Sequence, residues 1–201
     1  MFITFEGGEG SGKTTIIEKL YQTLTNQGYE VISTREPGGS NIAEQIRKIL
    51  LDNENINIKA HTEALLFAAS RAQHLDEVII PNLDKIILCD RYLDSSIAYQ
   101  AYGRDLGEDF VYKINSYALE FMPNITFFIK VEPKIGLERI SSRRVNKKDR
   151  LDKEENAFHQ KVYEGYLKVA NNNPERVIVI DGTLSIEEIF NQVLNEILKR
   201  L

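Results

Sequence analysis

The sequence has few of the features that are typical of secreted and membrane proteins. Cys89 is the one cysteine among 201 residues, which excludes an intramolecular disulfide framework. No apolar run approaches the roughly 18 residues of a membrane span, and the N-terminus lacks the charged and long apolar regions of a signal peptide. A formal net charge of −5 argues against general nucleic-acid binding. We therefore expect a cytoplasmic protein that binds neither membranes nor nucleic acids.

Short apolar segments alternate along the chain with amphipathic stretches. The predicted strands are residues 2–5, 30–34, 85–89, 125–131 and 176–180. This alternation, with no composition break, predicts a single α/β domain over residues 1–201 whose five-stranded parallel sheet carries helices on both faces. Ligands of such sheets bind at the carboxyl edge of the strands.

The most informative motif lies directly after the first predicted strand. Residues 7–14 read GGEGSGKT and match the pattern GxxxxGK[ST] in a strand-loop-helix context, which predicts a P-loop NTPase fold. Its backbone N–H groups can hold phosphate oxygens, Lys13 adds a positive charge, and the Thr14 hydroxyl can join the coordination sphere of Mg²⁺. The residues expected to bind a nucleoside triphosphate are Gly7, Gly8, Glu9, Gly10, Ser11, Gly12, Lys13, Thr14 and Thr15.

Two further strand ends carry residues suited to a second phosphate site. Arg35 follows the second strand in a loop with one proline and two glycines, an arrangement that can hold it toward the cleft. Asp90 and Arg91 follow the third strand, where the carboxylate can hold the water shell of Mg²⁺ and the guanidinium can pair with a monophosphate. A second phosphate site would indicate a kinase rather than a simple NTPase.

A possible base-binding group consists of two residues between these segments and one after them. Phe67 and Arg71 are four residues apart and share a helix face, so a ring can stack on a base while the guanidinium reaches a phosphate. A core phenylalanine beside a surface arginine is the simpler alternative. Gln100 offers a donor and acceptors for the edge of a pyrimidine.

Four ordered motifs together resemble the thymidylate kinases, a family of nucleoside monophosphate kinases: residues 5–7 running into the phosphate loop, 35–39, 67–71 and 90–100. The resemblance implies transfer of the γ-phosphoryl group of ATP to dTMP with Mg²⁺, held by Thr14 and Asp90, in a homodimer. It implies that Glu9 contacts the deoxyribose 3′-hydroxyl. Arg35 and Arg91 would hold the dTMP phosphate.

The same resemblance places further side chains around the nucleotide. Phe67 would stack on thymine, and Arg71, Ser96 and Gln100 would lie at or near the base edge. Tyr99 would lie against the sugar, where a ribose 2′-hydroxyl would collide, and Arg47 would approach the phosphate.

A basic segment in this acidic chain predicts a short mobile lid at about residues 139–151. Phosphoryl transfer needs positive charge around the migrating group, and a closing segment can supply it. The phosphate loop contains no arginine, so we expect the catalytic arginine to be Arg143, Arg144 or Arg150.

Two alternatives remain open. A related kinase would keep the phosphate loop but use another acceptor, such as dUMP. A non-enzymatic interaction module would bind ATP with no acceptor dependence.

Overall fold

The computed structural model describes residues 1–143 and 149–201. Its strands form an all-parallel sheet in the order β2-β3-β1-β4-β5. They are β1 (Phe2–Glu6), β2 (Val31–Arg35), β3 (Ile86–Asp90), β4 (Ile125–Lys130) and β5 (Val177–Asp181). The predicted five-stranded parallel sheet is confirmed, with every strand end within about one residue of its predicted position.

Helices connect and flank these strands. Within the described residues they are α1 (Lys13–Asn26), α2 (Asn41–Leu51), α3 (Ala60–His74), α4 (Leu93–Ser96), α5 (Glu108–Ile114), α6 (Ser116–Leu119), α7 (Pro133–Arg143), α8 (Asn156–Asn172) and α9 (Ile186–Leu198). Helix α3 continues into a π-helical turn at Leu75–Ile79 and a 3₁₀ turn at Ile80–Asn82, and α4 continues into a π-helical segment at Ile97–Gly103. In the part of the chain that the structure describes, no helix has both the length and the apolar character needed to cross a membrane.

The core lies on both faces of the sheet because successive side chains of a strand point to opposite faces. On one face, Phe5 of β1 packs with Leu20 of α1 and Val193 of α9. On the other face, Phe128 of β4 packs with Val162 of α8. All five are almost fully buried, and burial of such a side chain stabilises the fold by about 1.5–3 kcal/mol.

The sheet order places the phosphate loop at the centre of the carboxyl edge. The loop follows β1, whose two neighbours are β3 and β4. In the strand registers, Asp90 at the end of β3 pairs with Phe5 of β1 on one side and with Arg35 of β2 on the other. The ends of β1, β2 and β3 therefore converge where ligands of open α/β sheets bind.

Candidate functional site

The phosphate loop is shaped by glycines with backbone angles that other residues rarely adopt. Gly10 has φ 69° and packs so closely on α7 that an added Cβ would lie 2.2 Å from the carbonyl oxygen of Gly136. Gly12 has φ 96° and is the N-cap of α1. The first N–H groups of that helix have no partner within it and, together with the helix dipole, favour an anion.

Lys13 folds back over the loop. Its Nζ donates hydrogen bonds to the carbonyl oxygens of Gly7 (3.0 Å) and Gly8 (3.3 Å) and to Ser11 Oγ (3.3 Å). Burial and the neighbouring charge of Arg91 lower the pKa of the Lys13 ammonium. An anion in the loop would offset both effects.

Thr14 and Asp90 form an oxygen-rich pair beside the loop. The Thr14 hydroxyl donates to Asp90 Oδ2 at 3.1 Å. The other carboxylate oxygen, Oδ1, is buried and has no hydrogen-bond partner among the described residues. A hydroxyl and a carboxylate suit Mg²⁺, which prefers oxygen ligands and keeps several of its waters. Across the described ranges no cluster of three histidine, cysteine or acidic side chains could hold a metal alone, so water and phosphate oxygens would complete the coordination.

Arg91 is held in a fixed orientation next to Lys13. Its backbone has φ 73°, a conformation that a non-glycine residue keeps only when its surroundings enforce it. The guanidinium donates to the carbonyl oxygen of Gly7 (3.0 Å) and to the hydroxyls of Tyr166 (2.8 Å) and Tyr99 (3.1 Å). It also forms an ion pair with Glu9. Lys13 and Arg91 therefore converge on one carbonyl oxygen.

A buried carboxylate lies behind Arg91. Glu6 accepts hydrogen bonds from the Tyr92 N–H (2.7 Å), the Ser95 hydroxyl (2.5 Å) and the Tyr166 hydroxyl (3.1 Å). Burial and the negative charge of Asp94 raise its pKa to about 7. The sequence analysis missed the roles of Glu6, Ser95 and Tyr166 as supports of Arg91. Glu6 and Ser95 lie in two of the motifs singled out above, residues 5–7 and 90–100, which gave a signal for them, whereas α8 carries no recognisable motif at Tyr166.

Two arginines from neighbouring elements complete the charged side of the site. Arg35 is half-exposed and donates to Glu44 Oε1 at 2.8 Å. Arg47 of α2 donates to the carbonyl oxygen of Pro37 at 2.7 Å. Burial and the positive charge of Arg35 lower the pKa of Arg47.

Arg71 is buried and anchored by several partners. Its guanidinium donates to Glu36 (2.7 Å), Ser96 (2.9 Å) and Asn115 (2.6 Å). The alternative of a core phenylalanine beside a surface arginine is therefore wrong for Arg71, which is 2% exposed. Phe67 is also buried, one helical turn earlier on α3.

The Gln100 side chain is tied to a group that the sequence analysis did not identify. Its Nε2 donates to Glu63 Oε1 at 3.2 Å. Glu63 Oε2 accepts from Arg150 Nη2 at 2.7 Å, and Arg150 Nε donates to the carbonyl oxygen of Leu50 at 2.9 Å. In the structure, the Arg150 guanidinium therefore binds Glu63 and Leu50 and not the phosphate loop. The Arg143 side chain and Arg144 lie outside what the structure describes.

Most predicted site residues line one cavity of about 370 Å³, a size that suits a small molecule. They are Glu9, Gly10, Ser11, Gly12, Lys13, Thr14, Thr15, Arg35, Arg47, Phe67, Arg71, Asp90, Arg91, Ser96, Tyr99 and Gln100. Gly7, Gly8 and Arg150 do not line it. Glu36, Ser95, Arg139 and Asp149 also line it. The sequence analysis included Arg139 and Asp149 in the predicted lid but named none of the four as a site residue.

Comparison with known proteins gives consistent matches. The family model described as thymidylate kinase matches residues 5–193. The thymidylate kinase of Acholeplasma laidlawii is 64% identical over the whole of both chains, and that of Oceanobacillus iheyensis is 50% identical over 98% of this chain and 92% of its own. The crystal structure of thymidylate kinase from Ehrlichia chaffeensis superposes with a TM-score of 0.78 and 32% identity over 98% of each chain.

Proposed function

The chain belongs to the thymidylate kinase family, and we propose that it transfers the γ-phosphoryl group of ATP to dTMP, forming ADP and dTDP in the synthesis of dTTP. The observation that carries the proposal is the meeting of Lys13 and Arg91 at the Gly7 carbonyl oxygen, 3.0 Å from each. One cation belongs to the triphosphate loop and the other to the second phosphate site. Their proximity supports direct transfer between two bound phosphates.

On the donor side, residues 7–15 hold the triphosphate of ATP through backbone N–H groups and Lys13. Thr14 and Asp90 would hold Mg²⁺ through the hydroxyl and the carboxylate. When bound, the metal neutralises charge on the phosphate oxygens.

On the acceptor side, Arg91, Arg35 and Arg47 surround the dTMP phosphate. Glu9 lies close enough to Tyr99, 3.0 Å from its hydroxyl, for both to border the sugar, with Glu9 contacting the 3′-hydroxyl. Four further side chains that line the cavity contact the base: Phe67, Arg71, Ser96 and Gln100.

The reaction needs alignment and charge neutralisation rather than a covalent enzyme intermediate. An oxygen of the dTMP phosphate forms the new bond to the γ-phosphorus while the bond to the β-phosphate oxygen breaks, and the electron pair leaves with ADP. A phosphate monoester is already largely ionised near neutral pH, so Asp90 orients rather than deprotonates. Arg143 or Arg144 of the lid supplies further positive charge. Arg150 takes part only if its ion pair with Glu63 opens.

The proposal extends to the assembly. Residues 1–201 form one kinase domain with a lid at about 139–151, acting as a homodimer in the cytoplasm. Support for a dimer comes from large apolar side chains that are exposed in one chain on the neighbouring helices α3 and α6, namely Leu65, Tyr117 and Leu119.

The experiment that tests the function is ADP formation from Mg·ATP with dTMP, dUMP, dCMP, UMP, CMP, AMP or GMP, and without acceptor. We expect strong dependence on dTMP. Turnover only with another acceptor would still support a kinase but would contradict the assignment of the residues that contact the base. ATP binding without acceptor-dependent turnover would favour the interaction module.

A further inference from the structure

One buried carboxylate outside the cavity controls a side chain inside it. Glu63 is 1% exposed and lies on the same face of α3 as Phe67 and Arg71, at spacings of four and eight residues. Its Oε1 accepts the hydrogen bond from Gln100, which lines the cavity. Glu63 is thus placed to act on the acceptor site through Gln100.

The charge state of Glu63 follows from its other partners. Arg104 donates to both carboxylate oxygens, from Nε at 3.1 Å and from Nη2 at 3.0 Å, and Arg150 donates at 2.7 Å. Burial alone would raise the pKa of Glu63, but the hydrogen bonds and charges of these arginines outweigh it and lower the pKa. Glu63 is therefore ionised near neutral pH and can only accept hydrogen bonds.

This dictates the orientation of the Gln100 amide. Only the Nε2 end can donate, so it must face Glu63. The amide oxygen is at the other end of the same planar group. Because Gln100 lines the cavity, this oxygen is the polar atom available to a ligand there. A flipped amide would bring two acceptor oxygens together, which is unfavourable in a buried site.

We propose that Glu63 is a positioning residue for base selection: it holds the Gln100 oxygen toward the cavity, where the oxygen can accept a hydrogen bond from a pyrimidine whose ring N3 carries a hydrogen. The ring N3 of thymine or uracil carries a hydrogen, whereas N3 of cytosine is an acceptor. The inference rests on the proposed function. It explains how the site discriminates between acceptors with a 4-oxo pyrimidine, such as dTMP, and acceptors with a 4-amino pyrimidine, such as dCMP.

The test is the ratio of kcat/KM for dTMP to kcat/KM for dCMP in the full-length protein. Glu63→Gln can present its own amide to Gln100 and so permits the flip. Glu63→Asp keeps the charge facing both arginines but shortens the reach to Gln100, so it remains informative if Glu63→Gln does not fold. We expect either variant to lower the ratio about tenfold, with KM for ATP little changed.

Two controls separate orientation from general structural damage. Glu154→Gln removes the other carboxylate that binds Arg104, at 2.5 Å, but leaves Gln100 alone, so it should keep the wild-type ratio. In a Gln100→Ala background, Glu63→Asp should no longer change the ratio. Two results would contradict this inference and leave the proposed function intact. One is an unchanged ratio in Glu63 variants that fold; the other is that Glu63→Asp lowers the ratio as much in the Gln100→Ala background as in the wild-type background. A wild-type protein that does not distinguish dTMP from dCMP would overturn the base site and this inference together.

Discussion

Asp90 is the residue whose partners most directly indicate a metal role. It accepts from Thr14 with one oxygen and keeps a second, buried oxygen without a partner among the described residues. Asn in its place can keep the Thr14 bond but turns an N–H₂ group toward the metal waters. We expect Asp90→Asn to lower kcat/KM by about 10–100-fold and to raise the Mg²⁺ concentration needed for half-maximal rate. Steady-state rates across a Mg²⁺ titration measure both quantities. Asp105→Asn, at an exposed surface carboxylate, should behave as wild type.

Arg91 is the residue whose geometry most limits substitution. Its guanidinium contacts Gly7, Tyr99, Tyr166 and Glu9 from different nitrogens and directions. A lysine ammonium is a compact charge that cannot reproduce this fork. We expect Arg91→Lys to raise KM for dTMP at least tenfold while KM for ATP changes less than about threefold. Initial rates with each substrate varied in turn decide this, and parallel increases in both KM values would contradict it.

The residues of the site were only partly predictable from sequence. Lys13 and Thr14 follow from a local pattern with a known geometry. The support of Arg91 by Tyr166 and of Gln100 by Glu63 joins residues far apart in the chain. No local spacing encodes such pairs, because they form only when the helices pack.

Among the elements, α7 and the phosphate loop pack closely against each other at two glycines, Gly136 and Gly10. A Cβ on Gly136 of α7 would lie 2.2 Å from the carbonyl oxygen of Glu9. In a helix, Gly→Ala normally stabilises by about 1 kcal/mol, so the steric clash reverses the expected sign. We predict that Gly136→Ala lowers the free energy of unfolding by about 2 kcal/mol, measured by urea denaturation. A Cβ on Gly8 meets nothing within 4 Å, so Gly8→Ala should change this free energy little. A Gly136→Ala variant more stable than wild type would contradict the packing argument.

The elements also differ in how far sequence could predict them. The strands are short apolar runs between turn signals, and their ends were predicted closely. The π-helical segment Ile97–Gly103 was not predicted. It packs on α8, where a Cβ on Gly165 would lie 2.9 Å from the Ala98 Cα and a Cβ on Gly103 would lie 2.8 Å from the Phe158 ring. This close contact joins it to a helix that lies far away in the sequence, and no local pattern encodes such a contact.

At the scale of the whole molecule, the alternation of strands and helices predicted a parallel sheet and the convergence of three strand ends. It did not predict the strand order. That order depends on which strands pair, and β1 lies between β3 and β4, which come from distant parts of the chain. The place of the phosphate loop at the centre of the sheet edge is thus a property of topology rather than of the motif.

The free energy of unfolding of the whole molecule should depend on pH through Glu6. Burial and the Asp94 charge raise the pKa of this carboxyl in the folded protein from 4.5 to about 7. Between these values the unfolded chain binds fewer protons than the folded protein, so the free energy of unfolding falls as the pH rises and the loss levels off above pH 7. The loss from this one group is on the order of 3 kcal/mol.

Glu6→Gln removes the titrating proton while keeping an acceptor for the Tyr92 N–H and a group that can pair with the Ser95 hydroxyl. Carboxyls that do not interact with Glu6, including Glu63 with its lowered pKa, contribute equally to both proteins. The difference in unfolding free energy between variant and wild type therefore reports on Glu6 and its interaction with Asp94. Urea denaturation at intervals from about pH 5 to 8 should show this difference shifting in favour of the variant as the pH rises. A difference independent of pH would mean that Glu6 ionises in the folded protein as readily as in the unfolded chain.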